Sequence, residues 1–427
     1  MLTKFPLILL LLCLSLFYCA ACTKTPHDGE KGSYVTIVFT HGKIPGDYEQ
    51  FKRILRQFER ENPGIRVVDR TLPSSTDEQH QFYVINLDAG SKDFDVLSMD
   101  VIWVPEFAMA GWLRDVSGLL SESELHDIFP GPLEAVTYMG KRYAVPWYID
   151  AGLLYYRKDL LDDIGAKPPK TWDELVRTAR LITERSKGIY GFIWQGKQYE
   201  GLVCDVLEYL WSHGGNVLEN GKVVLHSPEN VRALTFMREL IVRDRVSPEI
   251  VTTLVEESSR HIFGNGRAVF MRNWPYAWNI FERDGSPVKG KIGVAALPSA
   301  AGHPSASTLG GWQIGINRHS KHPDAAERFV RFLTSRESQK TLALTVGYKP
   351  TRRSLYSDAD LKRQQPFIAS LHDILLNARP RPVSPYYMMM TQILQPEFSA
   401  AIAGIKKPSD ALMSAERQVQ HVLGVRP

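Results

Sequence analysis

From residue 34 onward the chain alternates short apolar runs with amphipathic stretches, and this alternation restricts the fold more than any other feature. Residues 34–39 read as a strand. Residues 47–62 read as a helix, because Phe51, Ile54, Leu55 and Phe58 recur at helical spacing on one face. Pro63-Gly64 ends it. A second strand is expected at 65–68, a second helix at 77–89 and a third, largely apolar strand at 95–99. Strands separated by helices imply an α/β fold, with a parallel sheet covered on both faces. Ligands of such sheets bind beyond the C-terminal strand ends. Segments 41–47 and 100–103 occupy those ends, so topology alone makes Asp47 and Asp100 site candidates.

A second block follows. Thr171-Trp172-Asp173-Glu174 is a capping box that opens a helix. Further helices are expected at 201–212, 228–243 and 324–334, the last with Ala325, Phe329 and Leu333 on its apolar face. Strands are expected at 292–296 and 312–316. Gly264-Asn265-Gly266 lies after a helix and before a strand. A dinucleotide site needs the reverse order, so these glycines read as a turn. Met388-Met389-Met390 reads as core filler. The part of the chain after the leader described next exceeds one ordinary domain, and two lobes are expected.

The first residues read as an export leader. Lys4 precedes an uncharged, almost wholly apolar run at 5–18, and Ala20, Ala21 and Cys22 follow. The run falls short of the about 20 apolar residues that span a bilayer, and its order is that of a signal peptide. Cys19-Ala20-Ala21-Cys22 resembles the lipobox of bacterial lipoproteins, in which the last Cys is lipidated. Cys19 stands where that pattern prefers Leu, so ordinary signal-peptidase cleavage is the alternative. Residues 24–33 are polar, with Pro26 and Gly29, and read as a tether. Of the four cysteines, Cys204 alone then remains in the mature body, so no disulfide forms within it. Its apolar helical setting makes it a small core residue. Net charge is +4 and the basic residues are dispersed, which argues against nucleic acid as a partner. The twelve His are scattered without ligand spacing, so neither a metal site nor a cofactor is expected.

Three aromatic-polar clusters stand far apart: Pro146-Trp147-Tyr148-Ile149-Asp150, Arg272-Asn273-Trp274-Pro275-Tyr276-Ala277-Trp278 and Gly310-Gly311-Trp312-Gln313. Any one alone reads first as core packing. Together they offer ring faces beside fixed hydrogen-bonding groups, which suits a sugar. The carboxylates of Asp47, Asp100, Asp150 and Glu256 accept hydrogen bonds from hydroxyls. The plainer role for an exposed Asp is a helix cap. Arg381 lies between Pro380 and Pro382, which keep the chain out of a helix. An Arg held there forks onto vicinal hydroxyls or is a solvated loop residue.

Taken together, these features resemble the extracellular solute-binding lipoproteins of ABC sugar importers, with the nearest likeness among trehalose/maltose-binding members. The resemblance rests on segments 148–161, 194–205, 272–278, 286–291, 308–312 and 380–382. It implies the two-lobe periplasmic-binding-protein fold (type II-like) with a ligand cleft between the lobes. It implies residues 1–21 as signal peptide, 22–33 as lipidated Cys22 and tether, 34–143 plus 307–347 as lobe I, and 147–303 plus 350–427 as lobe II. By matching motif the ligand residues are Asp47, Ser75, Asp100, Tyr148, Asp150, Glu256, Trp274, Tyr276, Gly311, Trp312 and Arg381. Glu257 is the alternative to Glu256. Asp47 stands where relatives carry Glu, Ser75 where they carry Thr, and His80 where one carries Arg.

The expected function is disaccharide capture by lobe closure, with trehalose first and maltose next. The partners implied are importer permease subunits and, through a lipid at Cys22, a membrane. The protein would be exported and held at the cell membrane or facing the periplasm, as a monomer without enzymatic activity. The chief rival is a secreted glycoside hydrolase that uses two of the same carboxylates.

Overall fold

The computed structural model describes residues 34–44, 48–73 and 75–424. The leader, Cys22, the tether and Asp47 lie outside the described residues. The alternation appears as β1 (Val35–His41), α1 (Tyr48–Glu61), β2 (Ile65–Thr71), α2 (Thr76–Asp88), β3 (Val96–Asp100) and the short helix α3 (Val104–Met109). Phe51, Ile54, Leu55 and Phe58 are the buried residues of α1, as their spacing predicts. Each such burial is worth about 1.5–3 kcal/mol. That exceeds helix-propensity differences of under about 1 kcal/mol, so packing rather than local preference fixes this helix.

The chain then builds β4 (Val145–Ala151), β5 (Leu153–Arg157), α4 (Trp172–Arg185), β6 (Tyr190–Ile193), α5 (Glu200–Ser212), α6 (Pro228–Val242), α7 (Glu256–Gly264), β7 (Ala268–Asn273), α8 (Tyr276–Phe281), β8 (Ile292–Ala295) and β9 (Leu309–Ile316). It ends with α9 (Pro323–Leu333), α10 (Arg336–Thr345), α11 (Tyr387–Ala403) and α12 (Pro408–Val422). The capping box opens α4 as expected: the Thr171 hydroxyl accepts from the Glu174 backbone, and the Glu174 side chain accepts from the Thr171 backbone.

Two sheets define two lobes. The first has five strands in the order β2-β1-β3-β9-β4, and the second has four in the order β8-β5-β7-β6. Strands β1, β2 and β3 are parallel, and β9 enters antiparallel between β3 and β4. Strand β4 spans the position expected to open the second lobe, yet it pairs in the first sheet. The chain passes to the second sheet at Gly152, and it returns just before β9 at Ser307-Thr308. After α10 the chain runs beside β4 of the first sheet, where the Ile149 amide donates to the Lys349 carbonyl at 2.9 Å.

Helix α5 is buried along its whole length and packs against α6 and α11. It holds Cys204 in the core and also carries Glu200, Asp205 and Glu208, so each of these buried carboxylates needs partners. One expectation needs correction. Of the three consecutive methionines only Met390 is core; Met389 is exposed and Met388 half-buried, because α11 turns one face to solvent.

Candidate ligand-binding cleft

Strand register brings distant cluster residues into one row. Trp312 on β9 stands opposite Asp100 at the end of β3, and opposite Tyr148 on β4. Residues directly opposite in a sheet project to the same face. Two residues back along β9, Gly310 stands opposite Asp150. Between them Gly311 takes φ +112°, and a Cβ there would lie 2.3 Å from the Tyr148 carbonyl oxygen, so only glycine fits. Trp312 meets the buried Trp103 edge to face at 5.5 Å, and Tyr148 stacks on Tyr348 at 3.8 Å.

The second lobe adds the facing wall. Trp274 follows β7, and its ring reaches across to Gly310, where a Cβ would lie 3.0 Å from the indole and 3.3 Å from the Asp150 Cβ. The missing side chain at 310 therefore lets Trp274 and Asp150 share one place. Trp274 Nε1 donates to Glu256 Oε1 at 3.4 Å, and the Tyr199 hydroxyl donates to Glu256 Oε2 at 2.7 Å. The Tyr276 hydroxyl donates to Glu257 Oε1 at 2.6 Å. Glu257 also pairs with Arg260 and is largely exposed, so Glu256 is the carboxylate that joins the tryptophan. Trp278 turns away and packs on Phe367 at 4.2 Å.

Arg381 bridges the lobes. Its Nη2 donates to Asp100 Oδ1 at 3.0 Å, and its Nη1 donates to Glu200 Oε1 at 2.8 Å. The fork that sequence reading allotted to ligand hydroxyls thus grips two carboxylates, while its buried Nε has no partner among the described residues. Glu200 also accepts from the hydroxyls of Tyr387 (2.6 Å) and Thr391. His80 Nε2 lies 2.7 Å from Glu106 Oε2, and its ring stacks on Phe107. Ser75 is exposed and caps α2, its hydroxyl accepting from the Glu78 backbone at 3.4 Å. The structure thus joins Asp100, Tyr148, Asp150, Glu256, Trp274, Gly311, Trp312 and Arg381, and leaves Ser75 in a capping role.

Sequence reading missed Glu200, Trp103, Tyr199, Tyr348 and Lys349. Glu200 and Lys349 look like surface charges in a sequence, yet both are buried. Tyr199 and Glu200 lie within a quoted segment, 194–205, but nothing singled them out. Lys349 Nζ donates to the Gly347 carbonyl and to Gln365 Oε1, and burial pulls its ammonium down to about 7 against the pull of Asp150. Burial pushes the Asp150 carboxyl up to about 7, with Lys349 opposing and Asp100 adding to the rise. Asp150 makes no hydrogen bond among the described residues, so its oxygens are available to a ligand. Among the described residues no cluster of His, Cys, Asp and Glu could hold a metal ion. Acceptor oxygens beside indole and phenol faces suit a neutral ligand rich in hydroxyls, and they repel an anion.

Four likenesses to known proteins bear on this cleft. Residues 42–340 match the family model described as bacterial extracellular solute-binding protein. A probable ABC transporter-binding protein of Deinococcus radiodurans is 37% identical over 401 residues, covering 91% of this chain and 94% of its own. The structure of maltose-bound MalE3 of T. maritima superposes with a TM-score of 0.85 at 46% identity, covering 90% of this chain and 99% of that one. An ABC transporter solute-binding protein of Thermotoga lettingae, bound with α-D-tagatose, superposes with a TM-score of 0.80 at 29% identity over 91% of this chain and all of its own (100%).

Proposed function

We propose that this chain, which belongs to the bacterial extracellular solute-binding proteins, captures an α-linked disaccharide for an ABC sugar importer. The family consists of transport binding proteins, and the solved relatives named above hold sugars. The observation that carries the finer reading is the row Asp100, Trp312 and Tyr148, with Asp150 beside it on β4, facing Trp274. The Trp274 ring lies over Gly310, two residues along β9 from Trp312, a strand rise of about 7 Å, so the two rings serve successive sugar units. The resemblance puts trehalose ahead of maltose. Maltose in the 46% identical relative gives it equal standing here.

In this reading Asp100, Asp150 and Glu256 accept hydroxyl hydrogens, and Trp274, Tyr276, Tyr148 and Trp312 supply apolar faces. Ligand roles at Asp47, Ser75 and the position of His80 rest on the resemblance alone. Ligand contacts to both lobes exist together only in the closed state, and that difference in affinity drives closure. Permease subunits then meet the closed form, while a lipid on Cys22 holds the protein at the membrane as a monomer. Isothermal titration with maltose, trehalose, tagatose and mannitol tests the ligand class. Parallel assay for released glucose tests the hydrolase alternative, which free glucose would revive.

A further inference from the structure

Behind the cleft face of Trp274 lies a buried charge network. The Arg272 guanidinium carbon sits 4.0 Å from the indole centroid, and Arg272 is 2% exposed. Its Nη2 and Nε donate to Glu208 at 2.6 and 2.9 Å, Nε lies 3.0 Å from Asp205 Oδ1, and Nη1 donates to Gln195 Oε1 at 3.1 Å. The planar fork is therefore fixed, with one flat face against the tryptophan.

The same carboxylate reaches the crossings between the lobes. Glu208 Oε1 accepts from the Thr308 amide at 3.0 Å, on the segment that leads into β9. On the other crossing, a Cβ at Gly152 would lie 1.9 Å from Glu208 Oε1 and 2.6 Å from Arg272 Nη2. The two crossings are themselves joined, since the Ser307 hydroxyl donates to the Gly152 carbonyl at 2.8 Å. A continuous packed path thus runs from the indole through Arg272 and Glu208 to both crossings.

We propose that Arg272 and Glu208 are positioning residues that tie the ring of Trp274 to the crossings, so that ligand pressed on that ring biases the hinge. The proposal rests on the reading that Trp274 meets the sugar. Breaking the network strands a buried charge, so separating its members is costly. Coupling of this kind needs an element with two arrangements that both sites bias, and the crossings supply it.

A double-mutant cycle in the full-length protein, with maltose affinity measured by calorimetry, decides the matter. Glu208→Gln keeps the shape and the acceptor for Thr308 but loosens the grip on Arg272. It should weaken maltose binding at least about fivefold in the wild-type background and less than about twofold beside Trp274→Ala. Equal factors in both backgrounds, with Trp274→Ala itself weakened, overturn the coupling alone. An unchanged affinity in Trp274→Ala overturns the site reading and the coupling with it. Should Glu208→Gln not fold, Arg272→Lys keeps the charge and loses the flat face, and the same pattern is expected. At saturating maltose, small-angle scattering should show either variant compacting by less than about half the wild-type change. Full compaction contradicts a link to the hinge.

Discussion

Replacing Arg381 by alanine removes the one cation that Asp100 and Glu200 share. The side chains of Arg381, Glu200 and Asp100 are 3, 11 and 15% exposed, so water replaces little of what is lost. Removing one partner of such a buried pair costs about 3–5 kcal/mol, because the other charges remain unpaired. The loss also has a pH signature. Burial already pushes the Glu200 carboxyl above its ordinary value, with Arg381 the strongest opposing pull. Without that pull it rises further. A carboxyl raised in the folded state favours the fold fully below its unfolded value of about 4.3, and loses that contribution as pH climbs through the folded value. The deficit of Arg381→Ala should therefore be large near pH 7.5 and smaller near about pH 5. Urea unfolding of both proteins, followed by tryptophan fluorescence at the two pH values, measures it. A loss below about 1 kcal/mol at the higher pH, or a deficit equal at both, refutes the reasoning.

Trp274→Ala should weaken maltose binding at least about tenfold by calorimetry, a change of about 1.4 kcal/mol. Trp278→Ala, which removes a ring packed on Phe367, should lower the melting temperature and shift affinity by less than about twofold. Gly311→Ala places a Cβ against the Tyr148 carbonyl at a left-handed φ and should cost at least about 1–3 kcal/mol in denaturation. Because the Asp150 carboxyl is pushed up to about 7, maltose affinity should fall as pH drops from about 8 to about 6 and its acceptor is protonated. Asp150→Asn should flatten that profile.

Local features of the fold were legible because they are periodic. The face of α1 and the capping box of α4 follow from side-chain spacing alone. Long-range register was not. Nothing in the sequence says that Trp312 lies between Asp100 and Tyr148, since that depends on an antiparallel strand inserted among parallel ones. The glycine pair at 310–311 was visible, but the close approach of Trp274 to Gly310 was not. Arg381 was found, and its engagement was missed, because its partner Glu200 reads as an exposed helical acid. Lys349 was missed for the same reason: burial of a charge is decided by packing from distant segments.

The central claim is that the cleft takes a neutral disaccharide between its lobes. Isothermal titration of the purified protein with maltose tests it most directly. Saturable binding at a single site, lost by at least about tenfold in Asp100→Ala, is the predicted result. No saturable heat with maltose or trehalose, alongside tight binding of a monosaccharide or polyol, would contradict it.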